Sequence, residues 1–162
     1  MFYKFDREIT FNDIKKFNYP NQRIGVIIHI ENDEGKILLQ QRGPKSSDEQ
    51  GLYEDVGGKY ETKDATFKDT IIRELKEEVG EEAIIDISSS VGIMHIHKRN
   101  TNWIFIIYCG KYIKGQLKIM EPEKCIRYNF FDYNELMSSE LVTESCKELS
   151  KSLQLIKTKK IV

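Results

Sequence analysis

The chain has 162 residues, of which 40% are hydrophobic and 31% are charged, a balance that is ordinary for a globular protein. This length can bury one proper core and is too short for two, so we expect a single domain over residues 1–162. The formal net charge of −1 excludes the strong basic excess of bulk nucleic-acid binders, so an anionic small molecule would need local basic groups or metal ions.

The amino-terminal segment Met1–Asp13 mixes aromatic and charged residues and contains no apolar run long enough for a signal peptide or a membrane span. The three cysteines, Cys109, Cys125 and Cys146, are odd in number and widely spaced, which fits neither a disulfide framework nor a zinc-binding pair. We therefore expect free thiols in the reducing cytoplasm and no contact with a membrane.

The first part of the chain predicts a short helix, a β-hairpin and a polar loop. Thr10 is a candidate N-cap, and the hairpin turn is indicated by Asn32–Gly35 between two apolar segments rich in strand-forming residues. The predicted elements are a helix at Phe11–Phe17, strands at Arg23–Glu31 and Lys36–Gln41, and a loop at Gly43–Gly51.

The central and final parts predict one amphipathic helix, several strands and a closing helix. The apolar period becomes helical from Thr66 to Val79, with Thr66 as the N-cap and Gly80 as the C-cap. The remaining predicted elements are strands at Ala83–Ser88, Val91–Lys98, Trp103–Ile113 and Tyr128–Phe131 and a helix at Thr143–Ile156. Strands on both sides of a central helix indicate an α/β fold with a mixed sheet between helices.

The segment Gly57–Gly80 contains the most informative pattern in the sequence. At about 100° per residue, one apolar arc of the helix faces the core. Glu74 and Glu78 fall at or inside an edge of this arc and Glu77 lies just beyond it, whereas solvated glutamates belong on the opposite side. The apolar arc consists of Phe67, Ile71, Ile72, Leu75 and Val79.

Three adjacent carboxylates at a partly buried helix edge repel one another and are costly unless a partner neutralises them. Oxygen ligands favour the hard ion Mg²⁺, with Mn²⁺ as an alternative, over zinc. Arg73 lies four residues before Glu77 and is placed to fix the direction of that side chain. We expect Gly57 and Gly58 to let the backbone turn sharply and to bring a carbonyl group towards the same ion.

This segment resembles the signature of the Nudix hydrolases: Gly, five residues, Glu, seven residues, then Arg-Glu-aliphatic-x-Glu-Glu-x-Gly-aliphatic. The chain departs from it at Asp64, which replaces the first glutamate and is followed by eight residues, and at Glu81, which replaces the last aliphatic residue. A shorter acid with one extra residue can still reach the same hydrogen-bond partners. The matching residues are Gly58, Arg73, Glu74, Leu75, Glu77, Glu78 and Gly80.

The resemblance extends beyond this box. The order of elements across Arg23–Met137 is similar to the α/β/α sandwich of the family, and Met120–Cys125 resembles a segment of its MutT-like nucleoside triphosphate members. Two aromatic residues, Phe130 and Phe131, and the run Asp132–Leu136 follow this segment.

The resemblance implies that water attacks a phosphorus atom of a nucleoside diphosphate linked to another group. It places the metal ion on Glu74, Glu77, Glu78 and the Gly57 carbonyl, with Arg73 beside them. Either Glu121 or Glu123 supplies a further ligand or the general base. The candidate substrate-binding residues are Gly58, Lys59, Arg42 and Lys124.

Other polar and aromatic residues have a structural interpretation that is at least as good as a functional one. His95 and His97 point to one face of a strand and fit a half-exposed surface. Trp103 and Tyr53 are candidates for stacking on a base or for packing in the core. Tyr3 and Phe5 are speculative pocket residues, and we expect a solvated tail at Lys157–Lys160.

The leading hypothesis is a Mg²⁺-dependent pyrophosphohydrolase that converts a nucleoside triphosphate to a nucleoside monophosphate and pyrophosphate, as a monomer or homodimer. ADP-ribose, a nucleotide sugar or a dinucleoside polyphosphate are alternative substrates. A diphosphate isomerase would need a cysteine soon after the second strand, and a non-catalytic nucleotide sensor would have lost glutamates of the box. Neither feature is found in this sequence.

Overall fold

The computed structural model describes the backbone of residues 1–161 and the side chains of residues 1–158. Eight strands and four helices follow one another along this part of the chain. The strands are β1 (Phe2–Lys4), β2 (Gln22–Glu31), β3 (Ile37–Arg42), β4 (Tyr53–Glu54), β5 (Val56–Lys59), β6 (Ile84–Lys98), β7 (Thr101–Lys114) and β8 (Cys125–Phe131). The helices are α1 (Phe11–Ile14), α2 (Phe67–Val79), α3 (Tyr133–Ser138) and α4 (Glu144–Ile161).

The strands form one mixed sheet in the order β1-β6-β7-β2-β3-β4, with β5 paired to β2 and β8 paired to β3. Strands β2 and β7 run parallel, from Gln22 opposite Asn102 to Glu31 opposite Lys111. The other described pairs are antiparallel, and the short strand β5 continues one side of β2 beyond the β2–β3 hairpin. This pairing brings β5 against the middle of α2, where Arg73 and Glu74 contact it.

Helices cover both faces of the sheet, which confirms the predicted α/β/α sandwich. On one face, Phe67, Ile71 and the other apolar residues of α2 pack against β2, β6 and β7. On the other face, Leu149 and Leu153 of α4 pack against the same sheet. Among the described helices, none is long and apolar enough to cross a lipid bilayer.

The two strands predicted at Ala83–Ser88 and Val91–Lys98 are in fact one continuous strand, β6. Its pairing with β7 shifts register on both sides of Ser90, so the polar serine run bulges without ending the strand. Ser90 also accepts a hydrogen bond from the backbone of Ile9, at 2.7 Å, which attaches the amino-terminal segment to this bulge.

The predicted boundaries of the terminal helices also differ from the structure. Helix α1 ends at Ile14, because Phe17 leaves the helix and packs against the core. Helix α4 continues through the predicted tail, where Lys157 pairs with Glu31, while the side chains of residues 159–160 lie outside the described part. Strand β1 and helix α3 have no counterpart in the sequence prediction.

Candidate active site

Helix α2 begins and ends where the sequence predicts. Thr66 caps its amino terminus by accepting a hydrogen bond from the backbone of Asp69 at 3.1 Å, and Gly80 ends it with a φ of 85°. The prediction of the apolar arc is wrong at one position, because Ile72 is 39% exposed. The buried face is therefore shifted around the helix towards Glu74 and Glu78, and it includes Thr70.

Arg73 is the centre of the polar network on this helix. Its Nη1 lies 3.0 Å from Oε1 of Glu74 and 3.4 Å from Oε2 of Glu77, so the predicted pairing with Glu77 is confirmed. Its Nη2 donates to the carbonyl oxygen of Lys59 at 3.1 Å, which ties α2 to β5. The guanidinium group thus fixes two of the three box glutamates relative to the strand that passes beneath them.

Asp64 occupies the position where the family pattern has a glutamate, and it reaches the partners that the sequence led us to expect. Its two carboxylate oxygens accept from Nε and Nη2 of Arg73 at 3.1 and 2.9 Å, and one of them also accepts from the Thr70 hydroxyl at 2.9 Å. The hydrogen bonds from Arg73 are the main reason that the pKa of Asp64 is lowered to about 2. The extra loop residue therefore leaves a bidentate carboxylate–guanidinium pair in place.

Gly57 and Gly58 do not form the sharp turn that the sequence suggested, because both lie within the extended strand β5. Their role is close approach of the backbone. A Cβ atom at Gly58 would overlap the carboxyl group of Glu74, and one at Gly57 would overlap the carbonyl oxygen of Val26. The absence of a side chain at Gly58 lets Glu74 approach the strand, and its absence at Gly57 lets β5 approach β2.

Glu78 is the buried member of the acid cluster, and its Oε2 has no hydrogen-bond partner among the described residues. Burial, followed by repulsion from Glu74, raises the pKa of Glu78 well above its ordinary value. Burial is also the main reason that the pKa of Glu74 is raised. A divalent cation would neutralise this charge and take up the orphaned oxygen, so the donor set fits Mg²⁺ or Mn²⁺.

No three acidic, histidine or cysteine side chains in the described part of the chain stand at metal-coordinating spacing. Arg73 explains this geometry, since it already neutralises part of the charge on Glu74 and Glu77. Glu77 remains about half exposed, with 48% of its side-chain surface accessible.

A cavity of about 520 Å³, here termed the acidic cavity, lies over these glutamates. The structure places Glu121 in its wall, whereas Glu123 does not line it and instead pairs with Lys45 at 3.3 Å. Of the two acids that the sequence left open, Glu121 is therefore the one that faces the box. The predicted site residues that line the acidic cavity are Arg42, Gly57, Gly58, Lys59, Glu74, Glu77, Glu78, Glu121 and Lys124.

The cations of the acidic cavity are not equivalent. The Nζ of Lys124 lies 3.1 Å from Oε2 of Glu121, and this hydrogen bond raises the pKa of Lys124. Arg42 is held by ion pairs with Glu54 and with Asp48, the latter at 2.9 Å, so its guanidinium group is already engaged.

A second cavity, of about 280 Å³ and here termed the aromatic cavity, adjoins the first. Both cavities are lined by Arg42, Glu54 and the backbone of β5, so they share a wall. Trp103 and Phe105 form one side of the aromatic cavity, with their rings nearly parallel and 5.2 Å apart. Residues of α4, including Cys146, form the opposite side.

The loop between β3 and β4 borders the aromatic cavity and is tied to the tip of the β6–β7 hairpin. The Nζ of Lys98 lies 3.0 Å from Asp48 and 2.7 Å from Glu49, and Arg99 donates to the carbonyl oxygen of Ser47 at 2.8 Å. These contacts join two distant parts of the chain at the rim of the cavity.

Other candidates from the sequence are placed away from both cavities. Tyr53 is buried and packs edge-on against Phe131, while His95 stacks on Tyr19 with ring centroids 4.0 Å apart. His97 is exposed on the same strand. Tyr3 packs against Phe17, and Phe5 packs against the core.

Gln40, Glu54, Asp55 and Cys125 are among the residues that line the cavities and that sequence reasoning missed. The alternation of β3 could have indicated that Gln40 faces α2, but Glu54 lies in the two-residue strand β4 and Asp55 lies between β4 and β5, where no period can be recognised. Burial raises the pKa of Glu54 and of the Cys125 thiol.

The sequence model of the NUDIX domain matches residues 21–152, which include both cavities. This chain belongs to the NUDIX family. A curated relative, the CTP pyrophosphohydrolase of Escherichia coli (strain K12), is 47% identical over 62 residues, which are 38% of this chain. The matched part is 44% of that relative, less than half of its length.

Solved structures share the NUDIX fold over most of the chain. The MutT protein of Methanosarcina mazei Go1 is 21% identical and superposes with a TM-score of 0.73 over 87% of this chain and 99% of that one. The NUDIX domain of Shewanella oneidensis NrtR, solved in complex with ADP ribose, is 17% identical and superposes with a TM-score of 0.65 over 86% of this chain and 90% of that one. At these identities the likeness concerns the fold.

Proposed function

We propose that this chain is a divalent-metal-dependent pyrophosphohydrolase that converts a nucleoside triphosphate to a nucleoside monophosphate and pyrophosphate. The observation that carries the proposal is the orphaned, buried Oε2 of Glu78 beneath a cavity that is also lined by Glu74 and Glu77. A buried carboxylate without a partner costs folding free energy and is explained by a ligand that the folded protein binds.

Glu74, Glu77 and Glu78, together with the Gly57 carbonyl, would hold the ion, for which Mg²⁺ is favoured over Mn²⁺. When bound, the ion supplies charge neutralisation at the phosphate oxygens and a lowered pKa of water. Arg73 holds the acids of α2 in a fixed position relative to β5 through its hydrogen bond to the Lys59 carbonyl.

The cations of the acidic cavity suit the orientation of a polyphosphate. Lys59 and Lys124 both line this cavity, and their ammonium groups can neutralise non-bridging oxygens that the metal ion does not contact. Arg42 also lies at the shared wall, but its ion pairs with Glu54 and Asp48 already take up its positive charge.

Glu121 is the candidate general base. It faces the box acids from the opposite wall, and 43% of its side-chain surface is accessible, so water can reach it. Its carboxylate accepts the proton of the attacking water as a new phosphorus–oxygen bond forms. The anhydride bond then breaks, and its electron pair leaves with the pyrophosphate.

The aromatic cavity is the proposed place of the nucleoside. The parallel rings of Trp103 and Phe105 offer a flat apolar wall for a base, and the cavity opens beside the backbone of β5 where the phosphates would lie. A nucleoside triphosphate agrees with the name of the curated relative, CTP pyrophosphohydrolase. ADP-ribose and dinucleoside polyphosphates carry the same kind of anhydride bond.

The test is an assay of pyrophosphate release from nucleoside triphosphates with Mg²⁺, with ADP-ribose and dinucleoside polyphosphates as comparators. Glu78→Gln should reduce kcat/KM by about a hundredfold or more, as does removal of a group that stabilises the transition state. Glu81→Gln is the matched control, because Glu81 directly follows α2 and is exposed outside both cavities. Near-wild-type turnover in Glu78→Gln, or full activity in excess chelator, would refute the proposal.

A further inference from the structure

Asp55 is a buried acid at the inner wall of the aromatic cavity. It is only 7% exposed, and it lies between β4 and β5, two residues before Gly57. In extended backbone two residues span about 7 Å. Asp55 therefore lies about 7 Å along the backbone from Gly57, whose carbonyl group is proposed to face the metal ion.

Two neighbours hold the Asp55 carboxylate from within the protein. Nδ1 of His29, a residue of β2 that is 4% exposed, lies 3.1 Å from its Oδ1. The Cys146 thiol of α4 forms a hydrogen bond with Asp55, and burial and the charge of Asp55 raise the pKa of this thiol well above its usual value. The thiol therefore keeps its proton and acts as a donor, so the carboxylate is fixed from the side of the sheet and from the side of the helix.

An ionised carboxylate only accepts hydrogen bonds, so its cavity-facing lone pairs can be satisfied only by a donor. At pyrimidine C4 or purine C6 an exocyclic amino group is such a donor, whereas a keto oxygen at the same position would place two acceptors against each other. Glu54, the next acid on the same wall, is engaged by Arg42. The cavity thus offers one positioned acceptor beside a flat aromatic wall.

We propose that Asp55 is a specificity-determining residue that selects nucleotides whose base carries an amino group at pyrimidine C4 or purine C6, and that His29 is the residue that positions it. The inference rests on the proposed function, because it places the base of the substrate in the aromatic cavity. It adds the substrate class: cytosine and adenine nucleotides are preferred over uracil and hypoxanthine nucleotides.

Two substrate pairs test this selection. CTP and UTP, like ATP and ITP, differ only at the edge of the base that carries either the amino group or the keto oxygen. The amino member of each pair should have a kcat/KM at least about tenfold higher, the discrimination expected for one well-placed base contact. Asp55→Asn should bring both ratios towards one, since an amide presents a donor as well as an acceptor. His29→Gln should lower the same ratios, a change that a purely structural role would not produce.

Asp13→Asn is the matched control, because Asp13 is also a buried acid held by a basic side chain, Arg7, but lies outside both cavities. It should leave the substrate ratios unchanged even if it lowers stability. Equal kcat/KM values within both pairs for the wild-type protein would overturn the inference, whether or not the Asp55 variant folds.

Binding of nucleoside monophosphates by calorimetry separates failure of this inference from failure of the proposed function. If no triphosphate is hydrolysed, the proposed function fails. Tighter binding of CMP than UMP and of AMP than IMP would still support selection by Asp55. Equal binding within both pairs, or the absence of binding, would refute it.

Discussion

Replacing Glu78 with glutamine is expected to stabilise the metal-free protein while it removes a ligand of the proposed metal site. The Oε2 of Glu78 is buried without a partner, and burial and repulsion by Glu74 raise its pKa. An unsatisfied buried polar group costs about 1–3 kcal/mol, and more when it is charged. Glutamine leaves a polar atom in the same place but removes the charge, so the expected gain in the free energy of unfolding lies within this range. For a chain of this size, a gain of about 2 kcal/mol corresponds to an increase in Tm of about 4–8 °C.

The sign of the pH dependence follows from the raised pKa of Glu78. An acid whose pKa is higher in the folded state binds its proton more tightly there, so the wild-type protein loses stability as the pH rises above the unfolded-state value. The free energy of unfolding of Glu78→Gln should therefore exceed that of the wild-type protein only slightly near pH 4.5 and by more towards pH 8. In millimolar Mg²⁺ the wild-type protein should become the more stable of the two, because only the wild-type protein gains stability by binding the ion.

The assay is urea unfolding in chelator and in Mg²⁺ at several pH values, with Glu81→Gln as the control that changes little. If metal-free Glu78→Gln is less stable than the wild-type protein at pH 8, or if its advantage does not vary with pH, the reasoning is wrong.

Three further predictions concern the network around the site. Asp64→Asn should destabilise the protein by about 1–2 kcal/mol at pH 7, from a pKa lowered to about 2 and partly screened by solvent. The loss should vanish as the pH falls from 4 to 2 in acid unfolding curves, and a loss that is constant with pH would contradict the pairing with Arg73. Gly58→Ala should displace Glu74 and abolish the shift in Tm produced by Mg²⁺, and a retained shift would contradict the close approach. Lys98→Met should speed limited proteolysis of the loop between β3 and β4, and unchanged cleavage would show that its ion pairs do not hold that loop.

The sequence predicted best those elements whose pattern is long and local. Helix α2 has a complete apolar period, an N-cap and a C-cap glycine, so its ends agree with the prediction. The rotation of α2 about its own axis could not be predicted, because Ile72 and Glu78 lie at different edges of the apolar arc and only one of them can be buried. The nearby sheet decides this competition, and Gly58 leaves space for Glu74 where a larger residue would push the helix away.

The site beyond α2 was harder to predict because it is built from short strands and distant segments. Glu121 and Glu123 are indistinguishable in sequence, and only the structure shows that Glu121 lines the acidic cavity while Glu123 does not. Asp55 and His29 are 26 residues apart and meet because β5 pairs with β2. Such meetings depend on strand register, which a single sequence does not specify.

The strand β5 is a wall of both cavities, with Gly57 and Gly58 exposed to each. A shift of this strand would alter the proposed phosphate site and the proposed base site at the same time. Substrate preference can therefore diversify in evolution most freely through helix α4 and the hairpin tip at Lys98, which border one cavity alone. Related chains with different substrates should keep glycines at the positions of Gly57 and Gly58 and differ in the residues of α4 that line the aromatic cavity.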